Sequence, residues 1–210
     1  MEEYLKLTAA LVVLHQDEIE GEIQVGPLQD ALRDPAIDIT TVAGPTQQQI
    51  RIRSLRAQID ITVESKRISI ADLSEDVPAR AGFVPTAQRV LALIGGQTGR
   101  AHGWNMDVTF RTDAATAGEE IANKFIKEEA TAALSPTGLQ SANVLAIYGR
   151  DQVRYTLKVE PRNRSLETAT FYAHLNSHYD APVPDENIAE AELQATADEL
   201  SRALSGIFGD

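Results

Sequence analysis

The segment at 58–64, QIDITVE, constrains the fold of this chain more than any other stretch. Its apolar residues alternate strictly with polar ones, which is the period of a β-strand with one buried and one solvated face. Two similar segments flank it at short range, QIRIRS at 49–54 and RISIAD at 67–72. Parallel pairing would need a long crossover, so three strands with short links predict an antiparallel meander.

The second half of the chain shows the same alternation. Further strands are predicted from near Tyr4 and at 104–110, 141–149, 152–160 and 167–175. The last three of these are joined by short links, so they predict a second meander. The two halves therefore share a strand-rich plan.

Helical spacing appears between and after the strands. A short first helix is predicted at 25–34, a second from about Pro85 to the Gly95-Gly96 stop, and a third from Thr112 or Asp113 to about Leu134. A long last helix is predicted from about Asp185 to Ile207. Its apolar residues form one continuous stripe, which should cover a sheet: Ala189, Leu193, Ala197, Leu200, Leu204 and Ile207.

These elements predict an α+β protein in which helices pack on an antiparallel sheet or sheets. We expect a single domain over 1–210, built from two halves at 1–100 and 101–210 that each run β-α-β-β-β-α. This element order is similar to the duplicated plan of the TATA-binding-protein-like and helix-grip folds. The resemblance rests on layout alone, without shared motifs, so it implies a fold and no function.

The composition of the chain excludes or disfavours several kinds of site and partner. The chain of 210 residues contains no cysteine, which excludes disulfides, thiolate zinc sites, iron–sulfur clusters and cysteine nucleophiles. The formal charge of −12 disfavours nucleic acids and anionic membranes as general partners. The N-terminal apolar run is too short to span a membrane. We therefore expect a soluble cytoplasmic protein without a cofactor.

The stretch FYAHLNSHYD at 171–180 holds the pattern H-x-x-x-H, formed by His174 and His178, with Asp180 following. On a helix the two histidines could share a metal ion, whereas on a strand their backbones lie about 13 Å apart. The β-forming residues that precede them favour a strand that breaks at Asn176-Ser177. A sharp turn there could still fold His178 back into a polar site, but no metal or catalytic residue is predicted.

Basic residues recur on predicted strands. Arg51 and Arg53 share one strand face, and Arg154 and Lys158 share another. If the two meanders join into one sheet, its outer face could carry a basic stripe while the helices carry the acid. The alternative is cross-strand pairing of these bases with nearby acids, namely Asp60, Glu64, Glu160 and Glu167.

Three functional hypotheses follow. The first is a non-enzymatic protein-binding or assembly module that acts through an acidic helical surface or a sheet face, with self-association as one form of it. The second is nucleic-acid binding by the strand residues Arg51, Arg53, Arg154 and Lys158. The third is a small-molecule or enzymatic pocket between the sheet and the last helix.

Overall fold

A computed structural model describes residues 4–19, 23–43, 48–74, 82–95, 99–113, 117–127, 129–130, 142–162 and 169–209. The strands in them are β1 Tyr4–Leu14, β2 Asp38–Ala43, β3 Gln48–Ser54, β4 Ile59–Glu64, β5 Arg67–Asp72, β6 Ala101–Arg111, β7 Val144–Arg150, β8 Val153–Pro161 and β9 Thr170–Tyr179. The helices are α1 Val25–Leu32, α2 Phe83–Leu93, α3 Ala117–Phe125 and α4 Glu186–Phe208.

All nine strands form one antiparallel sheet in the order β2-β3-β4-β5-β1-β6-β9-β8-β7. The long strands β1 and β6 pair near its centre over ten registered positions. The meander β5-β4-β3-β2 extends from β1, and the meander β9-β8-β7 extends from β6. The predicted α+β class and the antiparallel sheet are confirmed, and β1 and β6 join the two predicted meanders into one sheet.

The core lies on one face of this sheet. Alternate residues along each strand are buried there, for example Leu11 on β1, Ile61 on β4 and Trp104 on β6. All four helices contribute buried side chains to the same cluster, so they cover the same face. The opposite face is here called the open face, and it carries the alternate residues of each strand, which point away from this core.

The C-terminal helix has the predicted amphipathic form. The Asp185 carboxylate accepts a hydrogen bond from the Ile188 N–H at 3.2 Å, which caps the helix where the sequence predicted its start. Four residues of the apolar stripe are buried and the other two, Ala197 and Ile207, are partly buried against the core. The prediction of a long helix packed along the sheet is confirmed.

Three local predictions were wrong. Strand β2 was not predicted, although its run of Ile39, Thr40, Thr41 and Val42 has strong β propensity. The first half therefore has four strands between its helices instead of three. Helix α3 ends at Phe125 and is interrupted at 126–127, whereas one continuous helix was predicted; residues 129–130 are again helical, and the predicted end at Leu134 lies outside the described residues. The predicted stop at Ser135-Pro136 lies outside the described residues.

The third error concerns strand β9. It continues through Asn176 and Ser177 to Tyr179, so the predicted break is absent. Ser177 is buried, and its hydroxyl donates to the Trp104 carbonyl oxygen at 3.3 Å and bonds to the Thr196 hydroxyl at 2.8 Å. Tertiary hydrogen bonds satisfy the polar groups that were expected to end the strand.

Candidate functional site on the open sheet face

The open face differs in charge from the rest of the molecule. Among the described side chains it carries seven bases and six acids, a formal charge of +1, whereas the whole chain carries −12. The bases are Arg51, Arg53, Arg67, Arg111, Arg154, Lys158 and Arg162, and the acids are Asp38, Asp60, Glu64, Asp107, Glu160 and Asp180. The excess of acid therefore lies outside the open face.

The four predicted basic residues do share the open face, but they form two separate pairs. Strand register places Arg51 and Arg154 in the same row of residues, with the five strands from β4 to β9 between them. Six strand spacings of about 4.8 Å separate the two residues by about 29 Å. The structure does not bring them together as one stripe.

Ion pairing neutralises half of this basic set. The Arg51 guanidinium donates from Nε to both carboxylate oxygens of Asp60, at 3.0 and 3.1 Å, and this bond raises the pKa of Arg51. Lys158 pairs with Glu160 on its own strand. Within the described residues, Arg53 and Arg154 have no such ion pair. The cross-strand pairing alternative thus holds for Arg51, while Lys158 pairs along β8.

A hydrogen-bonded group on β1, β6 and β9, here called the Asp107 cluster, lies between the two basic pairs. The Asp107 carboxylate accepts from the His174 Nδ1–H at 2.8 Å, from the Tyr172 hydroxyl, and from the Thr8 hydroxyl at 3.5 Å. Burial alone would raise the pKa of Asp107, but the bonds from His174 and Tyr172 lower it overall. Burial and the same bond raise the pKa of Tyr172.

The second histidine of the predicted pair has a different partner. The His178 Nε2–H donates to Asp180 at 2.9 Å, and this bond lowers the pKa of Asp180. Because β9 is extended, His174 and His178 lie about 13 Å apart along one face, as the strand interpretation predicted. Among the described residues, no group of three or more His, Cys, Asp or Glu could hold a metal ion.

Two large apolar side chains project from the open face at its β7 edge. Leu145 is 65% exposed and Ile147 is 67% exposed, and they lie opposite Lys158 and Thr156 of β8. Strand β7 is the last of the described strands in the sheet, and its outer edge pairs with none of them. Leu145 and Ile147 were not predicted as site residues, although the consecutive apolar residues of VLAIY at 144–148 depart from strict alternation.

The interface between α4 and the sheet, where a pocket was one hypothesis, holds interacting side chains. The His102 Nε2 atom lies 2.9 Å from the Glu192 carboxylate, which also accepts from the Trp104 indole N–H at 3.3 Å. Tyr179 stacks on His102 at 4.8 Å between ring centroids, and burial raises the pKa of Tyr179 to about 12. These polar groups bond to one another, as expected for a packed interface.

Comparison with known proteins assigns no family. No protein-family model matches the chain, and no curated protein matches it. Within the described residues, none of the helices is both long enough and apolar enough to cross a membrane. Function is therefore inferred from the chemistry of the described residues.

Proposed function

We propose that this protein is a non-enzymatic binding module that contacts a protein partner through the open face, at the end formed by β9, β8 and β7. The observation that carries this proposal is the exposed pair Leu145 and Ile147 beside the polar side chains of β8 and β9. Protein interfaces commonly combine an apolar centre with a polar rim.

The energetics favour a protein partner at this position. Full burial of a leucine or isoleucine side chain is worth about 1.5–3 kcal/mol, so the two together could supply the central contact of a modest interface. Arg154 and Lys158 lie on the neighbouring strand and would form part of the rim. The excess of base on the open face favours a partner surface that is polar or acidic.

Site-specific photocrosslinking in cells that express the protein tests this proposal. A photoreactive residue is placed at Ile147 or Thr156 on the open face, and a matched control is placed at Glu190 on the exposed side of α4. We expect one discrete crosslinked protein from the first two positions, lost with Leu145→Lys. Crosslinks that form only from Glu190 would contradict the proposal and favour the acidic helical surface.

Nucleic-acid binding is the second candidate, and the shared face of Arg53 and Arg154 is the observation that favours it. Two observations count against it: Arg51 and Lys158 each form an ion pair with an acidic residue, and the chain carries a formal charge of −12. Fluorescence anisotropy with single- and double-stranded DNA and RNA at two salt concentrations separates the candidates. This alternative would be established by binding whose affinity falls with salt at a logarithmic slope of about −3, provided that changing all four bases to Glu abolishes the binding.

A further inference from the structure

A groove of about 490 Å³ lies on the helical side of the molecule, away from the open face. It is formed where the C-terminal end of α1, the turn between β3 and β4, and the first two turns of α2 meet. Each of these three elements contributes one arginine to its lining: Arg33, Arg56 and Arg89. Its volume falls within the range of small-molecule sites.

The charge of this groove opposes that of the chain. Among the described residues that line it, three are arginines and none is acidic, and none of the three arginines forms an ion pair with a described carboxylate. The buried Asp34 carboxylate is next to this set, where it accepts from the Arg56 N–H and attracts the charge of Arg56. Three positive charges around one groove attract an anion.

Hydrogen bonds hold the side chain of Arg89 and the backbone of Arg56 and Arg33. The Arg89 Nη2–H donates to the Thr86 hydroxyl at 2.9 Å, and that hydroxyl donates to the Gly82 carbonyl oxygen at 2.8 Å. The Arg56 N–H donates to the buried Asp34 carboxylate at 3.3 Å, which holds the turn between β3 and β4. The Arg33 N–H donates to the Asp30 carbonyl oxygen at 3.1 Å.

We propose that this arginine groove binds a small soluble molecule through its phosphate group. Guanidinium groups match the geometry of phosphate oxygens. Three of them can neutralise a phosphate dianion, whereas a ligand with a single carboxylate would not require three positive charges. The groove lies on the opposite side of the sheet from the proposed protein contact. The proposal therefore does not depend on the proposed function.

Nuclear magnetic resonance titration of the full chain with inorganic phosphate and with pyrophosphate tests the groove. We expect saturable shifts of the side-chain Nε–H signals of Arg33, Arg56 and Arg89, with tighter binding of pyrophosphate. Each substitution Arg33→Gln, Arg56→Gln or Arg89→Gln should weaken binding about tenfold. The matched control Arg53→Gln removes an exposed arginine from the open face and should leave binding unchanged.

Two further arms distinguish the source and the chemistry of the anion. Citrate at equal ionic strength should bind more weakly than pyrophosphate, and vesicles containing phosphatidic acid should not retain the protein in sedimentation. If binding does not saturate at about 10 mM pyrophosphate, the affinity is negligible and the proposal is overturned. Equal binding by the triple glutamine variant, equal or tighter binding of citrate, or binding to vesicles without binding to soluble phosphate would overturn it as well.

Discussion

Replacing Glu199 by Gln is expected to destabilise the fold by loosening the contact between α4 and the edge strand β7. Glu199 is 5% exposed, and its carboxylate accepts from the Tyr148 hydroxyl at 2.8 Å, the Arg150 guanidinium at 3.1 Å and the Arg202 Nε–H at 2.9 Å. An amide in its place has one acceptor oxygen and directs N–H groups toward two guanidinium groups.

The size of the effect follows from the exposure of the partners. Breaking a fully buried ion pair costs about 3–5 kcal/mol, because the remaining charge stays unpaired. The side chains of Arg150 and Arg202 are 52% and 56% exposed, so water can solvate both after the substitution. We therefore expect a loss of about 2 kcal/mol in the free energy of unfolding, below the fully buried value.

The pH dependence gives a second, independent signature. Hydrogen bonding from Arg202, and also from Tyr148 and Arg150, lowers the pKa of Glu199 below its usual 4.5 against the opposing effect of burial. A depressed pKa in the folded state stabilises the fold above the unfolded pKa, and this contribution is lost as the pH falls through the folded pKa. The difference between wild type and Glu199→Gln should therefore shrink below about pH 4.

Urea denaturation of both proteins at pH 7 and at pH 3 measures these quantities. Glu190→Gln, an exposed substitution on the same helix, is the matched control and should change stability by less than about 0.5 kcal/mol. A double-mutant cycle with Tyr148→Phe should show coupling, since the two side chains share a hydrogen bond. A loss below about 0.5 kcal/mol at pH 7, or a loss that persists unchanged at pH 3, would refute this reasoning.

Three further substitutions test the fold by urea denaturation. Leu200→Ala should cost about 2–5 kcal/mol because Leu200 is 3% exposed, and a loss below about 0.5 kcal/mol would show that the stripe is not buried. Gly103→Ala should cost about 1–3 kcal/mol, since an added Cβ would lie 2.6 Å from the Ser177 carbonyl oxygen; an unchanged midpoint would contradict this close approach. Burial lowers the pKa of His15, so the unfolded chain binds a proton first as the pH falls. Wild-type stability should therefore decrease as the pH drops below about 6.5, and His15→Gln should reduce this pH dependence. An identical pH dependence in both proteins would exclude His15 as its source.

The segments and their faces could be predicted from the sequence, because they depend on neighbouring residues. Alternation in QIDITVE located β4 within one residue of its start, and the spacing of the apolar stripe located α4 within one residue of each end. A strand was predicted at 167–175 for the same reason, which kept His174 and His178 from being assigned to one metal site, although the observed β9 continues to Tyr179. A period of two or of 3.6 residues is a local property of the chain.

Only the tertiary structure decided which segments meet. Pairing of β1 with β6 joined the two meanders, which placed Arg51 and Arg154 on one face yet kept them six strand spacings apart. Thr8 and His174 reach Asp107 from positions 99 and 67 residues away in the chain, and no local pattern connects them. The arginine groove likewise combines one arginine from each of three elements. The local sequence sets which face of a segment is apolar, but the order of strands is set by which apolar faces can be buried together in one core.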